Sequence, residues 1–133
     1  MSEITIMTVP LKFVNHSIED FAMQVTFDPL TDEGNVVYNL SLIKNEDLDF
    51  AISTLKDAYK TGVTVSGRIR FFSSGEKIAG YAVPKGLTGI CTICSITFDG
   101  LLIRRGIPIT PIGGGIVEIE KRTPMRFTHI ILY

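Results

Sequence analysis

Apolar positions along this chain alternate more often than they recur at helical spacing, which predicts a strand-rich fold with one clear helix. Phe21 to Phe27 is apolar and β-prone, and Asp28-Pro29 through Asp32-Glu33-Gly34 supplies turn residues. Val36 to Ile43 then resumes the alternation, so 21–43 reads as a hairpin with a long loop. Leu48, Ala51, Ile52, Leu55, Ala58 and Tyr59 recur at helical spacing and predict a helix over 46–60. Asn45 offers an N-cap oxygen, and Glu46, Asp47 and Asp49 place negative charge where the helix dipole favours it. Gly62 supplies the stop. The helix is one-faced and is expected to lie on a sheet.

Beyond it, Val63, Val65, Ile69 and Phe71 alternate with Thr64, Ser66, Arg68 and Arg70 as a half-buried strand. Breaks follow at Ser73-Ser74-Gly75-Glu76 and at Pro84-Lys85-Gly86. Residues 90–98 and 101–105 flank Asp99-Gly100, a strong two-residue hairpin signal because a type I′ turn needs two positive φ angles. Gly113-Gly114-Gly115 opens a strand over 116–121, and a turn around Arg122-Thr123-Pro124 leads into a last strand over 125–132. About seven strands in the order β-β-α-β-β-β-β-β predict an α+β, two-layer, plait-like sandwich with a mainly antiparallel sheet. The first twenty residues, with Pro10 and Asn15-His16-Ser17, show no such period. They read as a lead-in or the stub of a preceding segment, leaving 21–133 as the domain.

Composition narrows the class. At 133 residues, 45% hydrophobic and 20% charged, the chain has enough apolar content for a core and fits one domain. No apolar run reaches the roughly 18 to 20 residues of a membrane span, and the N-terminus lacks signal-peptide character, so a soluble cytoplasmic domain is expected. The net charge of −1 conceals an asymmetry: residues 1–60 sum to −6 and residues 61–133 to +5. That balance lacks the broad basic footprint of a self-sufficient nucleic-acid binder. The cationic half suits either an anionic small molecule or pairing with the acidic half of its own or a partner chain.

Catalytic and metal chemistry find little support. Cys91 and Cys94 have CxxC spacing, but on a strand positions i and i+3 face opposite ways, and zinc would need two more ligands where the only histidines are His16 and His129. Buried, reduced thiols are expected there, with no metal. No elbow or paired base marks a hydrolytic triad. His129 alternates with Phe127 and Ile131 and reads as a partly buried strand residue. Glu118 and Glu120 share the solvated face of their strand. The glycine triplet 113–115 is either an anion-binding nest or a site of tight strand packing.

The Asp99-Gly100 hairpin has a computable register. Ser95 pairs Arg104 and Thr97 pairs Leu102, so Ser95, Thr97 and Arg104 share one face opposite Cys94, Ile96, Phe98, Leu101 and Ile103. Two hydroxyls and a guanidinium suit a carboxylate ligand; a solvated polar face explains them equally well.

Ordered motifs from Gly89 onward carry a more specific resemblance. Cys94 to Gly100 (CSITFDG), Gly106 to Ile109 (GIPI), Gly114 to Ile119 (GGIVEI) and Arg126 to Thr128 (RFT) resemble the regulatory domain of the NrpR nitrogen repressors of archaea. Upstream, Asn39 to Ile43, Glu46 to Asp49 and Gly62 to Ser66 are similar to it as well, so the likeness spans about residues 21–133. The resemblance implies a non-catalytic domain that senses 2-oxoglutarate and dimerises. DNA would be reached only through a separate winged-helix domain, which this sequence lacks, and no membrane is involved. Arg104 stands where the family carries a lysine, so a cation is retained. The implied effector contacts are Arg104, Ser95 and Thr97, with Arg126 and the backbone of Gly113, Gly114 and Gly115. A ligand-free assembly module is the alternative, and a small-molecule enzyme comes third.

Overall fold

A computed structural model describes residues 5–8 and 12–133, with side chains from Ile18 onward. The opening segment expected to be irregular contains a strand β1 (Thr5–Thr8) and a helix α1 (Lys12–Met23) that consumes the first residues of the expected 21–27 strand. Residues 1–4 and 9–11, with the side chain of His16, lie outside the described residues.

The first sheet is built on β6 (Leu87–Ile93). Strand β2 (Tyr38–Lys44) pairs one edge, from Tyr38↔Ile93 to Lys44↔Leu87, and β3 (Ile69–Phe72) pairs the other, from Ile69↔Thr92 to Phe72↔Gly89. Both pairings are antiparallel. The expected 21–43 hairpin does not form, because β2 pairs with β6, 50 residues on, while residues 26–35 close on themselves through Thr26, Phe27 and Asp28. The expected strand over 63–71 shrinks to four residues, and Val63 and Val65 are exposed.

Helix α2 (Leu48–Lys60) follows a 3-10 turn at Asn45–Asp47 and answers the 46–60 expectation. Leu48, Ala51, Ile52, Leu55 and Ala58 form a half-buried stripe, whereas Tyr59 is exposed. Gly62, at φ +75, ends the helix with its N–H donating to the Tyr59 carbonyl. Asn45 does not cap the helix with its side chain; its Oδ1 accepts the Thr88 hydroxyl at 2.6 Å and ties the helix start to β6.

The Asp99-Gly100 hairpin is replaced by a third helix, α3 (Ile96–Arg104). Its inner stripe is Ile96, Thr97, Gly100, Leu101 and Ile103, and it packs on α1. A side chain at Gly100 would collide with Val25 and with the Ala22 carbonyl, so this glycine serves close helix packing rather than a turn. A Schellman cap ends α3: the Ile107 N–H reaches the Leu102 carbonyl and the Gly106 N–H reaches the Ile103 carbonyl, both at 3.0 Å. The two-residue type I′ turns lie elsewhere. Ala79-Gly80 joins the short strands β4 (Lys77–Ile78) and β5 (Tyr81–Ala82), and Lys121-Arg122 joins β7 (Gly113–Glu120) to β8 (Thr123–Leu132).

Strands β7 and β8 form the last sheet, with β1 parallel to β8 on the far edge. The fold is therefore α+β with mainly antiparallel pairing, its strands divided among three small sheets and its described helices numbering three. Among the described residues, Ala22, Val25, Val83, Ile90 and Cys94 form the buried apolar set, joined by Thr88 and Thr97. No described helix is long and apolar enough to cross a membrane.

Candidate functional site

Because Ile96–Arg104 is a helix and not a hairpin, Ser95, Thr97 and Arg104 do not share a patch. Ser95 is exposed at the N-cap of α3 and Arg104 sits in its last turn, nine residues on, or about 13 Å along the axis. Thr97 points inward and is 5% exposed. Its hydroxyl accepts the Val37 N–H at 3.0 Å and donates to the Val37 carbonyl at 3.2 Å, so both hydrogen-bonding functions are used in joining α3 to the segment before β2.

Arg126 lies opposite Glu118 in the β7–β8 ladder, and its guanidinium closes on that carboxylate, with Nε 2.9 Å from Oε2. The Gly113–Gly115 triplet runs as extended strand, paired with Leu132, Ile131 and Ile130. No residue of it has the positive φ a nest would require, and a side chain at Gly113 would meet the Ile131 carbonyl oxygen at 2.5 Å. Tight strand packing, the second of the two readings open in the sequence, accounts for these glycines.

His129 also departs from expectation. A register shift between Ile116 and Val117 sets His129 opposite Ile116 and Phe127 opposite Val117, so the two occupy different faces. His129 is exposed, with Nδ1 2.9 Å from the Thr128 hydroxyl. Cys91 is half-buried, Cys94 is buried, and both are free thiols. Burial pushes the Cys91 thiol up, only partly opposed by the Arg70 guanidinium, which disfavours the reactive thiolate. No group of three or more described His, Cys, Asp or Glu side chains could hold a metal ion.

Arg68 and Arg70 also border cavities, but Arg68 is paired with Asp32 and Arg70 lies over the Phe72 ring; a third cavity brings two other arginines together. Arg104 and Arg105, with Leu101 and Leu102, face the loop Thr26–Leu30 across a cavity of about 610 Å³. Among the described residues neither arginine has an ion-pair partner. The wall opposite is ordered by Asp28, whose Oδ1 accepts the Leu30 N–H at 2.9 Å and whose backbone pairs with Glu33. Two exposed guanidiniums at the mouth of a partly apolar cavity match a small molecule carrying carboxylates. A cavity of about 630 Å³ between Phe21, Val25, Val37 and Leu40 has no charged side chain in its lining, and so nothing to meet an anion. Sequence reasoning missed Arg105 because its placement depends on the helix. The signal was available in Gly106 followed by Pro108, a helix-stop pattern after two basic residues.

Comparison with known proteins identifies the setting of this site. A family model described as NrpR regulatory domains NRD1 and 2 matches residues 11–133. The chain is 40% identical over 121 residues to the global nitrogen regulator NrpRI of Methanosarcina mazei, covering 91% of this chain and 37% of that protein. It is 36% identical over 110 residues to the global nitrogen regulator NrpR of Methanocaldococcus jannaschii, covering 83% and 18%. The crystal structure of a nitrogen repressor-like protein from Methanococcus jannaschii is similar in fold, with a TM-score of 0.73 at 33% identity. That match covers 90% of this chain and 49% of the other. The chain thus spans half or less of the length of each of these relatives. The fold and this kinship define a regulatory domain of the NrpR type. The chain belongs to the NrpR regulatory-domain family.

Proposed function

We propose that this domain is the effector-sensing and dimerising part of a cytoplasmic repressor of nitrogen assimilation. It binds 2-oxoglutarate and thereby controls DNA binding by a separate winged-helix domain. The observation that carries the reading is the family match over 11–133, together with regulators of nitrogen metabolism as relatives. The chemistry supports a dicarboxylate: Arg104 and Arg105 hold two positive charges beside one cavity and have no ion-pair partner among the described residues. Of the contacts expected from sequence, Arg104 is retained in this proposal and Arg105 joins it. Ser95, Thr97, Arg126 and Gly113–Gly115 are left out, because they lie on other surfaces or are already engaged. Binding places a doubly negative ligand between α3 and the 26–30 loop and biases how those two elements close on each other.

The test is calorimetric titration of the folded chain with 2-oxoglutarate, with succinate and a monocarboxylate as comparison ligands. Saturable heat with 2-oxoglutarate supports the reading, and its absence at millimolar ligand removes sensing from this domain. The assembly-module alternative is favoured by one specific feature, the exposed apolar side chains that β7 and β8 carry, Ile116, Ile119 and Phe127 among them. A dimer indifferent to 2-oxoglutarate would select it.

A further inference from the structure

The cavity beside Arg104 and Arg105 carries a charge of the other sign on its far wall. Asp28 lines it, and Leu30, Leu101 and Leu102 make up most of its apolar part. The Asp28 carboxylate is held in place. Its Oδ1 accepts the Leu30 N–H at 2.9 Å, the Asp28 N–H donates to the Glu33 carbonyl at 2.7 Å, and the Asp28 carbonyl accepts the Asp32 N–H at 2.8 Å. The other carboxylate oxygen has no partner among the described residues. No ion pair joins Asp28 to either arginine. Two cations and one anion thus line one cavity of about 610 Å³ without neutralising one another.

A ligand that bears only carboxylates satisfies half of this arrangement. It meets the guanidiniums, but it brings negative charge towards Asp28 and offers that residue no donor. An α-amino acid adds an ammonium with three N–H donors, and the free Asp28 oxygen can then accept a charge-assisted hydrogen bond. Formal charge selects among amino acids. Two arginines and one aspartate leave the lining with a single net positive charge, and an amino acid with two carboxylates carries a single net negative charge at neutral pH. We propose that this cavity takes an α-amino dicarboxylate, its carboxylates on Arg104 and Arg105 and its ammonium on Asp28. Leu30, Leu101 and Leu102 receive the aliphatic carbons between the charged ends. The inference rests on the dicarboxylate reading of this cavity and adds to it a contact for an amine. Where the 2-oxo acid binds as well, the two compete for one site.

The test is calorimetric titration of the parent chain and of Asp28→Asn with L-glutamate, glutarate and 2-oxoglutarate. Asparagine keeps an oxygen for the Leu30 N–H, so the loop is preserved, which equal melting temperatures verify. L-Glutamate should bind the parent more tightly than glutarate, which has the same two carboxylates and no ammonium, and should displace 2-oxoglutarate. Asp28→Asn should weaken L-glutamate by roughly 10-fold or more and leave glutarate equal or tighter. A parent that prefers glutarate overturns the proposal, as does a folded Asp28→Asn variant that keeps its L-glutamate affinity or loses glutarate equally. A parent that binds 2-oxoglutarate and ignores L-glutamate overturns it too, while leaving sensing intact. Asp28-dependent binding of L-glutamate with no binding of 2-oxoglutarate supports the amino-acid site and removes 2-oxoglutarate sensing.

Discussion

Gly100 of α3 sits so close to Val25, just beyond α1, that a single added methyl on Gly100 would overlap the valine side chain. Val25 is 1% exposed and Ala22 is 2% exposed, so neither has space to retreat. In an open helix, Gly→Ala gains about 0.5–1 kcal/mol from propensity. Here overpacking of about 1–3 kcal/mol opposes that gain and should win. Gly100→Ala is expected to lower the urea midpoint, and Gly100→Val to lower it further. A stabilised Gly100→Ala would mean that the α1–α3 contact is looser than described.

Thr97 offers a second check on the same helix. Its hydroxyl serves both polar groups of the Val37 backbone, and Thr97→Val takes the acceptor away from the half-buried Val37 N–H, while the Val37 carbonyl keeps the Cys94 N–H at 2.8 Å. Unfolding free energy should fall by about 1–3 kcal/mol, and Thr97→Ser should recover most of it. Equal stability of the valine variant in chemical denaturation would contradict this.

These two residues also explain what the sequence revealed and what it hid. Helix α2 was legible because its apolar stripe repeats at 3.6 residues and its ends carry acidic and glycine signals that depend on nothing distant. Helix α3 was not, because Ile96, Phe98, Leu101 and Ile103 satisfy a strand period as well as a helical one. Asp-Gly then favoured the wrong alternative. The contact that decides the matter is tertiary: Gly100 allows α1 to approach, and no local pattern announces it. The consequence ran straight into the site, since the Ser95–Thr97–Arg104 patch existed only in the hairpin register. Arg104 kept its candidacy, and Arg105 joined it only once the helix set both beside the 26–30 loop.

Asp99 makes the stability of α3 depend on pH. Burial holds its carboxyl above the ordinary value of 3.8. Folding therefore favours the protonated form, so this group's contribution is fully present below about pH 3.8 and is lost as pH rises through the folded-state value. Asp99→Asn should remove that dependence and be more stable than the parent at neutral pH. Parallel pH–stability curves for the two proteins in thermal melts would rule the effect out.

The Lys121-Arg122 turn carries removable strain. Both residues adopt positive φ, 49° and 70°, without being glycine. Arg122→Gly relieves a left-handed conformation that costs a side-chain-bearing residue about 1 kcal/mol or more. A higher melting temperature with unchanged far-ultraviolet circular dichroism is expected, and a lower one would show that the Arg122 side chain holds the hairpin by contacts.

The most direct measurement is a side-by-side calorimetric titration of 2-oxoglutarate into the parent chain, Arg104→Ala and Arg105→Ala. If the two guanidiniums hold the carboxylates, each substitution costs about 1.5–3 kcal/mol, or roughly 10- to 150-fold in affinity, with folding intact. Identical isotherms for all three proteins, or no heat from a folded parent at millimolar ligand, would contradict the account.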